Sequence, residues 1–171
     1  DDGGLLVKPP LSGPEDPYGY NGGSNTKNRI NELFPHEEGF TDTGIELLTA
    51  AMAVAVAHRH AILDVPHLLL AITQGAESTI GLQARRIDHA RVKTESWRAL
   101  QDDVRVGDGA PKSIAASEAL VEIDRAISTI IQKREVGARS VQVLDYLDAI
   151  MQESIRQKHE VYLGRDDLLP T

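Results

Sequence analysis

Two stretches of this chain repeat one another. Val65-Pro66-His67-Leu68-Leu69-Leu70-Ala71-Ile72 aligns with Val143-Leu144-Asp145-Tyr146-Leu147-Asp148-Ala149-Ile150 at a constant offset of 78 positions. Just beyond, Gln74 aligns with Gln152, and Glu77-Ser78 aligns with Glu153-Ser154 once two residues are dropped. Self-similarity of this kind marks a duplicated supersecondary unit, each copy leaving an apolar face that its neighbour must cover. The expectation is one core built from two halves.

Both halves read as helices. Ile45, Leu48, Met52, Ala55 and Val56 follow helical spacing, and Leu47, Ala51 and Val54 widen the stripe, so a helix over about 43–58 is buried on most of its circumference. Asp64 caps a second helix, with Pro66 tolerated in its first turn, running to about Thr73. Gly75 breaks it; Glu77 or Ser78 opens a third helix to about Arg86, and Asp88 caps a fourth through Leu100. In the second half a helix from about Ser117 to Glu135 presents Leu120, Ile123, Ile127, Ile130 and Ile131, and Gly137 ends it. Ser140 is read as the cap of the next, whose buried face is Val143, Leu144, Leu147, Ile150 and Met151. A last helix spans about Glu153–Leu163, with Gly164 after it as a C′ residue. Aromatics are only 4% of the chain, which favours closely packed helices over a sheet.

The fold class expected is all-α: a compact bundle of about eight helices in two pseudo-symmetric four-helix repeats, residues 40–101 and 113–171, joined by a Gly- and Pro-containing linker at 102–112. Residues 1–39 hold seven of the chain's 14 glycines and five of its eight prolines, and are read as an extended arm. Within it, Ile30, Leu33 and Phe34 fall at i, i+3, i+4 after a possible Asn25 cap, a short amphipathic turn able to dock on the body before Pro35 ends it.

A net charge of -8 repels phosphate backbones and argues against nucleic acid as a partner. Arg85, Arg86, Arg91, Lys93 and Arg98 cluster, but without interleaved aromatics to stack bases they read as a solvated helix face. The chain has no cysteine, hence no disulfide framework and no thiol catalysis. No apolar run approaches the roughly 20 residues of a membrane span.

Catalytic signatures are missing. No phosphate-binding G-x-x-x-x-G-K-[ST] loop occurs, and Gly107-Asp108-Gly109 lacks both the third glycine and a preceding strand. No G-x-S-x-G occurs, and Asp102-Asp103 and Asp166-Asp167 fall in linker or tail. His58, His60 and His67 lie close in sequence, with His36-Glu37-Glu38 upstream, but no H-E-x-x-H is present. Packing or capping is the reading adopted for them, a small metal or enzymatic site the rival. Trp97 is read as core or groove lining. No catalytic residue, cofactor or metal is expected.

Phe40-Thr41, His60 and His67-Leu68-Leu69-Leu70, with Ile87-Asp88 further on, fall without a gap at the spacing of the Clp N-terminal repeat, and the chain resembles that module of the Hsp100/Clp unfoldases over about residues 40–169. Pro66 stands where the family usually has Glu, Arg59 where it has Gly, and Asp145 where it has the second His. Some members recognise substrates or phosphoarginine through groups at these places, and that activity is not carried over. The resemblance implies a non-catalytic binding module that acts as accessory or adaptor for a Clp protease or unfoldase, in the cytoplasm or a plastid stroma. Its partner would be a Clp ATPase or protease subunit, an adaptor or an unfolded substrate. Phe40, Thr41, Ile30, Leu33 and Phe34 are the candidate protein-binding residues; His60, His67, Leu68 and Leu69 are structural positions. The rival from the same family is the recognition domain of a full Clp ATPase, the secretion type included, and the 39-residue arm favours the stand-alone form.

Overall fold

The computed structural model describes residues 23–102 and 114–164. Among these the chain forms nine helices: α1 (Gly23–Leu33), α2 (Asp42–Ala57), α3 (Val65–Gln74), α4 (Ala76–Ala84), α5 (His89–Asp102), α6 (Glu118–Gln132), α7 (Val143–Ile150), α8 (Glu153–Lys158) and α9 (Glu160–Leu163). Two short strands, β1 (Ile62–Leu63) and β2 (Ala115–Ala116), pair in parallel. The all-α expectation is met, with four helices in each half and α1 added in front. Residues 103–112 of the expected linker, and the arm before residue 23, lie outside the described residues, while Asp102 is the last residue of α5.

Helix α3 is central. It packs against α2, α4 and α5, and every residue from Val65 to Thr73 is buried, which is why its sequence is almost wholly apolar. Leu48, Met52, Leu68, Leu69, Ile72, Leu120, Ile123 and Ile127 are fully enclosed in one continuous core, each such side chain stabilising the fold by about 1.5–3 kcal/mol.

The duplication shows at the joints between the halves. Phe40, just before α2, pairs in parallel with Val141, just before α7. Ile62 and Leu63, just before α3, pair with Ala115 and Ala116, just before α6. Thus the first helix of each half starts beside the second helix of the other. Each start is tied by side chains as well. Thr41 Oγ1 accepts the Gly44 N–H and donates to the Val141 carbonyl. Asp64 Oδ1 accepts the Val65 N–H and the Ser117 hydroxyl, while Ser117 Oγ accepts the Leu120 N–H and caps α6.

Gly44 shows how tight one joint is. A Cβ there would sit 2.7 Å from the Val141 carbonyl oxygen, a backbone atom already holding the Thr41 N–H. Gly44→Ala is therefore expected to destabilise the protein by about 1–2 kcal/mol, overpacking outweighing the helix propensity gained. Urea unfolding would measure it, and a neutral or stabilising result would mean the joint yields.

Three sequence expectations differ from the structure. Ser140 does not cap α7; Gln142 is the N-cap residue, and the Ser140 hydroxyl instead donates to the Glu38 carbonyl. The last helix is broken at His159, whose φ of -124° leaves the helical region, so that α8 ends there and α9 restarts. Finally, the amphipathic turn expected around Ile30, Leu33 and Phe34 is a longer helix that starts at Gly23, and it docks on the body as expected of that turn: Ile30 and Phe34 are 0% and 2% exposed and belong to the core, with Leu33 packed against it. The i, i+3, i+4 stripe makes such a docked helix favourable, since three large apolar side chains on one face gain more from burial than the turn loses in entropy.

Candidate functional site

The histidines are held in a structural chain of hydrogen bonds. At the start of α3 the backbone N–H of Asp64 donates to His67 Nδ1 at 2.9 Å, completing a capping box with the Asp64 side chain. A neutral ring that accepts at Nδ1 carries its proton on Nε2, so His67 Nε2 donates to His60 Nδ1, 2.9 Å away. His67 is fully buried and His60 nearly so. His58 donates from Nδ1 to the Val54 carbonyl at the end of α2, and its ring meets Trp97 edge-on. Both nitrogens of His67 are thus committed to the fold, and no group of three or more metal-ligating side chains converges among the described residues.

Burial, reinforced by the neighbouring His60 ring, lowers His67 to about 4, against the opposing pull of Asp64. An unfolded imidazole titrates near 6.5. Between those values the unfolded chain binds a proton that the folded protein excludes, so stability is full above about pH 6.5 and falls as pH drops toward 4. Burial lowers His159 as well, which adds to the same trend. The urea midpoint is expected to fall between about pH 7 and pH 5, and His67→Gln should flatten the slope. An unchanged slope in that variant would assign the loss to other groups.

The second half solves the same problem with different residues. Asp145, aligned with His67, accepts the Gln142 N–H through Oδ2 at 2.8 Å and completes the capping box of α7. Where His67 meets His60, Asp145 forms an ion pair with Arg134, which also donates from its second nitrogen at 3.2 Å. Beside it, Glu38 accepts the N–H groups of Gly137 and Arg139, which hold its carboxyl below the usual range. The buried Tyr146 hydroxyl, by contrast, is pushed well up by desolvation and the charges of Asp124 and Asp145.

Most of the basic cluster is also engaged. Arg85 reaches across to Asp148 on α7 at 2.6 Å, Arg91 donates to the carbonyls of Glu160 and Val161 at the end of the chain, and Arg98 pairs with Glu95. Trp97 is half exposed instead of forming core.

The five candidate binding residues have structural work. Ile30 and Phe34 are enclosed, Leu33 and Phe40 pack against the core, and Thr41 caps α2. An open groove of about 490 Å³ lies elsewhere, bounded by α2, the end of α3, the start of α4 and Val143. Its floor is apolar, from Leu47, Ala50, Ala71 and Val143, and Glu46, Gln74 and Glu77 stand exposed on its rim. Sequence reasoning missed it because these residues are far apart in the chain; the only local signal is Glu46, a charge beside the apolar stripe of α2.

Fold and groove together define a duplicated helical bundle with an open apolar cleft. No protein-family model matches the chain, and no curated protein matches its sequence. Among solved structures, a chain from preliminary structural investigations of a malarial protein secretion system superposes with a TM-score of 0.55 at 20% identity, over 72% of this chain and 84% of that one. At that identity the likeness is one of fold. No helix among the described residues is long and apolar enough to cross a membrane.

Proposed function

We propose that this chain is a non-catalytic binding module of the Clp N-domain type, serving as accessory or adaptor for a Clp protease or unfoldase. It binds a Clp component, or a protein substrate bound for one. The observation that carries the reading is the reciprocal joint. Phe40-Thr41 and His67, the positions on which the resemblance rests, hold the starts of α2 and α3, and Val141 and Ser117 of the other half complete each joint. The fold likeness to a chain from a secretion-system study supports a second reading, the recognition domain of a larger Clp ATPase.

Affinity capture with the full chain from its native source, with subunits identified by mass spectrometry, tests both. Recovery of Clp ATPase or protease subunits is the expected outcome; their consistent absence would sink the adaptor reading. A phosphate-binding loop encoded in the same reading frame would favour the second reading over the first.

A further inference from the structure

The duplicated fold makes one charge in the groove conspicuous. Glu46 lies five residues after the α2 N-cap Thr41, and Glu122 lies five residues after the α6 N-cap Ser117. Both carboxylates stand at the edge of an open cleft, of about 490 Å³ in the first half and 560 Å³ in the second. In the second half the chain supplies the counter-charge itself: Lys158 Nζ lies 2.9 Å from Glu122, and Arg125 lines the same cleft. In the first half the described residues do not. No Lys, Arg or His lines the groove, and among the described residues neither Glu46 nor Glu77 has a cationic partner.

From this asymmetry we infer that the first-half groove docks a protein segment in which a Lys or Arg lies one or two residues from an apolar side chain. Leu47, Ala71 and Val143, all buried beneath the cleft, form a floor for the apolar side chain. Glu46 on α2 and Glu77 on α4, both exposed and both lining the cleft, receive the cation in the role that Lys158 plays for Glu122. The start of α4 offers a third contact. Its N-cap is Gly75, which has no side chain to satisfy the first N–H groups of the helix, and carbonyls of an extended peptide are suited to them. The overall charge of -8 draws a basic segment toward the same surface. This deepens the binding-module reading and rests on it, by giving the partner a chemistry.

The test is fluorescence anisotropy on the full chain with three labelled peptides of identical length: one alternating leucine with lysine and arginine, one alternating leucine with glutamate, and one alternating serine with lysine and arginine. The leucine–basic peptide is expected to bind, the other two to bind at least about ten-fold more weakly, and added salt to weaken the first. Glu46→Gln combined with Glu77→Gln should cost about ten-fold in affinity, with only a small fall in thermal midpoint, since both side chains are exposed and only the favourable position of Glu77 in the first turn of α4 is lost. Glu122→Gln should leave affinity unaltered. Equal binding of the acidic peptide, a double variant within about two-fold of wild type, or an equal effect of Glu122→Gln would overturn the proposal. So would sedimentation showing that the groove is filled by a second copy of the chain, through a dimer that the double variant abolishes. If wild type and double variant capture Clp subunits equally, the groove assignment falls and the adaptor reading stands. If the peptide binds as described but no Clp subunit is ever captured, the reverse holds.

Discussion

Leu69→Ala is expected to lower the unfolding free energy by about 2–5 kcal/mol. Leu69 has no exposed surface, and it lies in the middle of a helix that contacts α2, α4 and α5. Truncation removes three buried carbons, and neighbours held on several sides cannot collapse into the space, so the cost of the cavity adds to the lost transfer energy. Ile80, on α4 and 66% exposed, provides the contrast: Ile80→Ala should stay within about 0.5 kcal/mol. Urea unfolding of both variants decides the matter. Equal effects would mean that α3 is not the centre of the core.

Arg134→Met should cost about 2–3 kcal/mol. The Asp145 side chain is 1% exposed and that of Arg134 is 25% exposed. Removing one member of a fully buried pair costs about 3–5 kcal/mol because the remaining charge is stranded; the partial exposure of Arg134 places this case below that range. Asp145→Asn keeps an acceptor for the Gln142 N–H but loses the charge, and should be the milder change. A double-mutant cycle isolates the pair: a coupling energy near zero would show that Asp145 acts through the cap alone.

The same residue shows what could be read without coordinates. The alignment of Asp145 with His67 is visible in sequence, where it looks like decay of a repeat. In the structure it is a replacement in kind, since a carboxylate oxygen and an imidazole nitrogen both accept the N–H of a helix N-cap. The helices themselves were legible because periodicity and capping are local: Asp64 and Asp88, read as caps, accept backbone N–H groups at helix starts, and Thr41 and Ser117 do the same without having been singled out as caps. Ser140 was misread because a serine three residues before an apolar stripe looks like a cap, whereas its hydroxyl is drawn to Glu38, 102 positions away. The break at His159 has no counterpart in the apolar pattern, which continues through Leu163.

The candidate site was the least legible part. Ile30, Phe34, Phe40 and Thr41 were apolar or motif residues at the edge of the body, and docking outward or inward satisfies the same pattern; only the space left between helices chose inward. The groove left only the charge of Glu46 to read, because its walls join residues near 46, 75 and 143, and that no cation lines it among the described residues is a property of packing. Sequence by itself determined the helical class, the duplication and most helix ends, because these follow from interactions within a few residues and from a repeat that can be counted. Tertiary structure alone decided which half keeps its carboxylate paired and which leaves Glu46 without a cationic partner among the described residues, because charge pairing between distant segments depends on where the folded core puts them.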